Sequence, residues 1–162
     1  MAPSSHVDHS QISVWARDSV LGVFKTTFGL NAVQTSAPQP PEESDELIFS
    51  EIRFEGTLAV CIRVCISAVG AARLSSIALS MPPAEICDAH VDDLVGEMSN
   101  MVLGAVKSRA SDLGVPCRML LPAVTRSQAI VPAAPSACGS GMLYFLFEKH
   151  CLAVEISLTH TT

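Results

Sequence analysis

The chain has 162 residues, 49% hydrophobic and only 16% charged, which fits one globular domain with a large aliphatic core and no need of disulfides or metals. Its net charge is −6 and Lys and Arg nowhere cluster, which argues against a phosphate-backbone binder and so against a nucleic-acid partner. No apolar run is long enough to cross a bilayer, and the first ten residues lack the basic and apolar regions of a secretory signal, so no membrane is expected and the cytoplasm is the expected compartment.

Residues 1–9 read as a polar tail, and residues 10–162 as a single domain. Ser10 is placed to cap a helix that runs to about Gly29, with Ile12, Val20, Phe24 and Phe28 on its apolar side. From Ser36 to Glu46 the chain combines three prolines with four acids, the composition of an extended, solvated connection. Leu47–Phe54 and Thr57–Ile66 read as an antiparallel hairpin turned at Gly56. Ala68–Leu79 has helical spacing and is stopped by Pro82-Pro83. A long helix follows from Asp88 to about Leu113, ended by Gly114 and Pro116. Cys117–Val124 is strand-like but contains Pro122, which predicts an edge, a bulge or a strand end there. After a loop rich in Pro, Ala, Ser and Gly from Val131 to Gly141, Met142–Phe147 and Cys151–Leu158 form a last hairpin. The order predicts an α+β fold, helices packed on a mainly antiparallel sheet.

The six cysteines, Cys61, Cys65, Cys87, Cys117, Cys138 and Cys151, contain no CxxC pair and read as reduced thiols, with Cys61 and Cys65 on one face of a strand as small hydrophobes. No metal site and no cofactor are predicted. His90, Ser99 and Cys87 have no partner at a spacing that would make acid–base or nucleophilic chemistry.

The long helix carries the chemistry. At 100° per residue Asp93, Glu97, Asn100, Gly104, Lys107 and Ser111 fall on one stripe, and Leu94, Met98, Met101, Val102 and Ala105 on another. Glu97 and Asn100, at i and i+3, lie side by side and could enter one partner site together. Asn is a poor helix former and Gly costs roughly 1 kcal/mol relative to Ala, so Asn100 and Gly104 in mid-helix suggest a smooth surface for close contact.

This helix resembles the motif of the CheC, CheX and FliY family of chemotaxis phosphatases: Asp or Ser, three residues, Glu, two residues, Asn, twenty-one residues, Pro. The chain reads Asp93, Glu97, Asn100 and Pro122 at that spacing. The stretch Asn100-Met101-Val102-Leu103-Gly104-Ala105-Val106-Lys107 is also similar to the family's Asn-Met-Ile-Ala-Gly-Asn-Ala-Lys, with Ala105 and Val106 as departures. CheC carries two such motifs and this chain one, which resembles the CheX branch.

The resemblance implies a CheX-like fold, a homodimer formed through the sheets, and a partner: a phosphorylated CheY-like response regulator whose own site holds the divalent cation, Mg, and a lysine. It implies that Asn100 positions the attacking water, that Glu97 docks the regulator's lysine, that Asp93, Gly104 and Lys107 contact the partner, and that Pro122 is structural. Asp93 equally suits an acid near a helix start. The rival reading is a non-catalytic dimeric adaptor that binds response regulators or flagellar-switch proteins.

Overall fold

The computed structural model describes residues 7–37, 46–127 and 140–160. Most of the expected tail, most of the Pro-rich connection after Ser36, Cys138 and most of the loop from Val131 lie outside these residues.

The hairpin is built from β2 (Leu47–Gly56) and β3 (Leu58–Ser67), in register from Leu47↔Ser67 to Phe54↔Val60. In β3 every second residue from Leu58 to Ile66 is buried and those between are partly exposed, the period-two pattern of a strand covered on one face. β7 (His150–His160) pairs with the free side of β3, and β6 (Ser140–Phe147) pairs with β7. A three-residue strand, β1 (Val33–Thr35), closes that edge; it is too short to show an alternation and the sequence does not predict it. At the other edge β4 (Cys117–Met119) and β5 (Ala123–Ser127) both pair with β2. All pairings are antiparallel, and helices cover one face, as the order of elements predicts.

Turn chemistry differs in two places. Thr57, not Gly56, turns the hairpin; a Cβ on Gly56 would sit 2.3 Å from the Pro116 carbonyl oxygen, so glycine there admits the close approach of the chain entering β4. The first helix, α1 (His9–Val23), starts before Ser10: Asp8 caps it, its carboxylate accepting from the Gln11 N–H at 2.9 Å while Gln11 accepts from the Asp8 N–H at 3.2 Å, and Val7 is already buried. α1 continues as a π-helical turn, Phe24–Phe28, and ends at left-handed Gly29.

One core contains the inward residues of β2, β3, β6 and β7, of α1, of α2 (Ala68–Leu79) and of α3 (Asp88–Asp112). Phe24 stacks on Phe147 with ring centroids 4.8 Å apart. Among the described residues no helix is long and apolar enough to cross a membrane. The five described cysteines are free; Cys61 and Cys65 share a face of β3, but it is the face away from the helices and both are half-buried. Burial pushes the Cys65 thiol up to about 11, with the nearby Cys151 adding to the effect, so it stays protonated at neutral pH.

The uncovered sheet face carries a charge ladder. Glu51, Arg63 and Glu155 stand in register across β2, β3 and β7, with Arg63 bonded to Glu51 at 2.7 Å and to Glu155 at 3.4 Å, while Arg53 also grips Glu51. The Arg53 hydrogen bond, then that of Arg63, holds the Glu51 carboxyl below its usual range. The native chain therefore binds fewer protons there than the unfolded chain, so this stabilisation is present above the unfolded pKa and is lost as pH falls through the folded one. Glu51→Gln is expected to cost on the order of 1 kcal/mol at neutral pH and to flatten the acid loss of stability between roughly pH 5 and pH 3, read from urea midpoints.

Candidate functional site

α3 begins on a cap of its own kind. The Cys87 N–H donates to His90 Nδ1 at 3.2 Å and the Cys87 thiol lies 3.4 Å from the same nitrogen, so His90 is occupied as a capping residue. Arg126 of β5 then clamps the first turns: it bonds Asp92 at 2.8 Å and Glu46 at 2.7 Å, lies 3.5 Å from the Asp88 carboxylate and donates to the Asp88 carbonyl. Asp92 is thus committed to the fold, whereas Asp93 is exposed. The sequence reading does not find Arg126, because its three acidic partners come from two separate segments.

The buried arc of α3 holds Val91, Val95, Met98, Val102, Leu103, Val106 and Ala110, together with Gly96 and Ser99. It is turned from the predicted apolar stripe: Met98 and Val102 are in it, Leu94 and Met101 are only partly buried, and Ala105 is partly exposed. The cause is the strap formed by β4 and β5, which passes along one flank of α3 and covers residues too small to register as hydrophobic. A Cβ on Gly96 would lie 3.4 Å from a Val124 methyl and 3.8 Å from the Pro122 ring. Gly96 thus gives Pro122 its seat against the helix, one residue before Glu97.

The opposite arc is the predicted one. Asp93, Glu97 and Ser111 are exposed, and Asn100, Gly104 and Lys107 partly so. Among the described residues neither the Glu97 nor the Asn100 side chain takes part in a hydrogen bond or ion pair, so both are available to a partner. Their i, i+3 spacing brings the Cβ atoms to roughly 5–6 Å. Gly104 contrasts with Gly96: a Cβ there would meet nothing within 4 Å, so no packing inside this chain requires glycine. Lys107 lies at the far end of the arc, close enough to Cys117 for its charge to act against the burial that raises that thiol's pKa. Among the described residues no three His, Cys, Asp or Glu side chains form a group that could hold a metal ion.

The strand-like stretch from Cys117 to Val124, expected to meet an edge, a bulge or a strand end at Pro122, is two strands, β4 and β5, interrupted at residues 120–122. Met119 pairs with Phe54 and Ala123 with Glu51, so residues 120–122 stand opposite only Ile52 and Arg53, a one-residue bulge with Pro122 at its end. The Leu120 N–H still donates to the Arg53 carbonyl at 2.8 Å, and Pro122, with no N–H to offer, sits where the ladder is interrupted.

The structure is thus an α+β domain with helices laid over one face of an antiparallel sheet, one of which, α3, turns the unpaired side chains of Glu97 and Asn100 outward. The chain belongs to the family described as chemotaxis phosphatase CheX, whose model matches residues 48–146. The fold is similar to that of the chemotaxis protein CheX from Vibrio vulnificus, at 18% identity and TM-score 0.78 over 92% of this chain and 99% of that one. It is also similar to a CheC-like superfamily protein from Shewanella sp. PV-4, at 21% identity and TM-score 0.79 over 94% and 99%. A third likeness, at 12% identity and TM-score 0.72 over 91% and 97%, is to the structure of a CheX–CheY–BeF3–Mg complex from Borrelia burgdorferi. No curated protein matches the sequence.

Proposed function

We propose that the domain hydrolyses the aspartyl phosphate of a CheY-like response regulator, in the cytoplasm and as a homodimer. The observation that carries this reading is the pairing on α3 of an exposed Glu97 with a partly exposed Asn100, their side chains unpaired and one turn apart, on a helix whose Gly104 has no internal cause. Family membership and the likeness to a CheX bound to CheY support it.

Asn100 holds a water in line with phosphorus, its carbonyl accepting from that water and its NH2 group free to donate. The water oxygen attacks, the bond from phosphorus to the aspartyl oxygen breaks, and inorganic phosphate and a free aspartate result. Phosphoryl transfer of this kind depends mostly on positioning and on charge compensation, which the regulator's own Mg ion and lysine supply. Glu97 pairs with that lysine and sets the register of the helix. Asp93 and Lys107 mark the two ends of the docking arc. The uncovered sheet face, where half-exposed Phe49, Cys65, Ala153 and Tyr144 stand in one row, is the surface for the second copy.

The test is a panel of phosphorylated response regulators, each mixed with the pure protein and followed for phosphate release. Faster release from a matched regulator supports the reading; regulators that bind with no acceleration would replace it by the adaptor. Gly104→Ala separates docking from folding. It is expected to raise stability by about 0.5–1 kcal/mol, since a helix gains and nothing collides, and to lower dephosphorylation several-fold, roughly five-fold, because the methyl meets the partner. Urea melts and phosphate release on the same preparation check both signs.

A further inference from the structure

Leu121 is 91% exposed. Single exposed apolar residues are common on protein surfaces, so exposure alone means little. Its degree and place set this one apart: among the other described large hydrophobics the most exposed is Val33, at 62%, on the edge strand at the opposite side of the sheet.

The strap that carries Leu121 runs beside α3 and can be followed along it. Arg126 reaches Asp92 in the first turns, Val124 and Pro122 lie at Gly96, and Cys117 lies near Lys107. Leu121 is the chain neighbour of Pro122, whose ring lies at Gly96, one residue before Glu97 and four before Asn100. The bulge is held on both sides, by the Leu120 hydrogen bond to Arg53 and by the fixed φ and helix contact of Pro122. Bulges beside functional sites commonly re-aim a side chain. Here a leucine is held out in water, on a fixed backbone, next to the arc that a partner covers.

We infer that Leu121 is the apolar anchor by which this domain grips the surface of its response regulator beside the aspartyl phosphate, taking an apolar patch of that protein as its counterpart. The inference rests on the phosphatase reading for its partner. It assigns the strap to the interface as a second lip, and gives Leu121 a share in affinity and in the choice of regulator.

Burial of a leucine side chain in a complex accounts for roughly a tenfold to hundredfold change in affinity. Leu121→Ala is therefore expected to raise KM for the phosphorylated regulator about tenfold and Leu121→Asp about 30-fold or more, with kcat within about twofold of wild type and Leu121→Met close to wild type. Thermal melting of the variants should match wild type, because the side chain is almost free of contacts. Affinity is measured in parallel by titrating the regulator in the presence of Mg and BeF3. Hydrolysis by wild type with an unchanged KM in Leu121→Asp would overturn the anchor and leave the phosphatase reading standing, as would a loss confined to kcat. Binding by wild type without hydrolysis, weakened in Leu121→Asp, would overturn the phosphatase and keep the anchor. Failure of wild type to bind any regulator would overturn both.

Discussion

Asn100→Ala is expected to slow regulator dephosphorylation by on the order of 10²–10³-fold while leaving affinity within about twofold of wild type. The effect is large because the amide is assigned no other task. It makes no hydrogen bond within the described chain, so its removal leaves no orphaned partner and no cavity. Folding should improve slightly, since alanine is a better helix former than asparagine by a fraction of the roughly 0.7 kcal/mol span of ordinary residues. A lost rate therefore cannot be blamed on a lost fold. Phosphate release under single turnover, with affinity titrated separately, distinguishes the cases. Equal turnover by Asn100→Ala and wild type would remove the catalytic assignment, and a fall in affinity of the same size as the fall in rate would make Asn100 a docking residue.

Glu97→Ala should behave differently, weakening both affinity and turnover at low regulator concentration by about 2–5 kcal/mol, most of it from the regulator's lysine left buried without its counter-charge. Glu97→Gln keeps volume and helix propensity and should lose nearly as much, which identifies the charge as the cause. Wild-type affinity should fall with added salt more steeply than that of Glu97→Gln. Comparable salt slopes in the two proteins would contradict a lysine pair. Asn100→Ala and Glu97→Ala thus move different parameters although their side chains are neighbours.

The outward arc of α3 was legible because helical period and side-chain polarity agree along it, from Asp93 to Lys107. The inward arc was less legible, for a physical reason: Gly96 and Ser99 are buried in it, Gly96 against the strap at close approach, and such small residues carry no hydrophobic signal. Pro122 was legible through its spacing from Asn100, and so was an interruption of the strand there; that it is a one-residue bulge rather than a bare edge or strand end was not, since that slip between β2 and the strap depends on pairings far apart in the chain. The cap at Asp8 rather than Ser10 is also legible in the residues. Both are good capping residues, but only Asp8 has a Gln three residues on to complete the reciprocal bond. The three-residue strand Val33–Thr35 had no local signature to read, being placed by β6.

The clamp of Arg126 on Asp92 and the seat of Pro122 on Gly96 together hold α3 from the side as well as from below. Seen as entropy, this means that the backbone bearing Glu97 and Asn100 gives up its freedom when the chain folds rather than when a partner arrives. What docking must still immobilise is two bodies and a few surface rotamers. On the phosphatase reading, such a domain would meet its partner as a finished template and leave any rearrangement to the molecule that carries the phosphate.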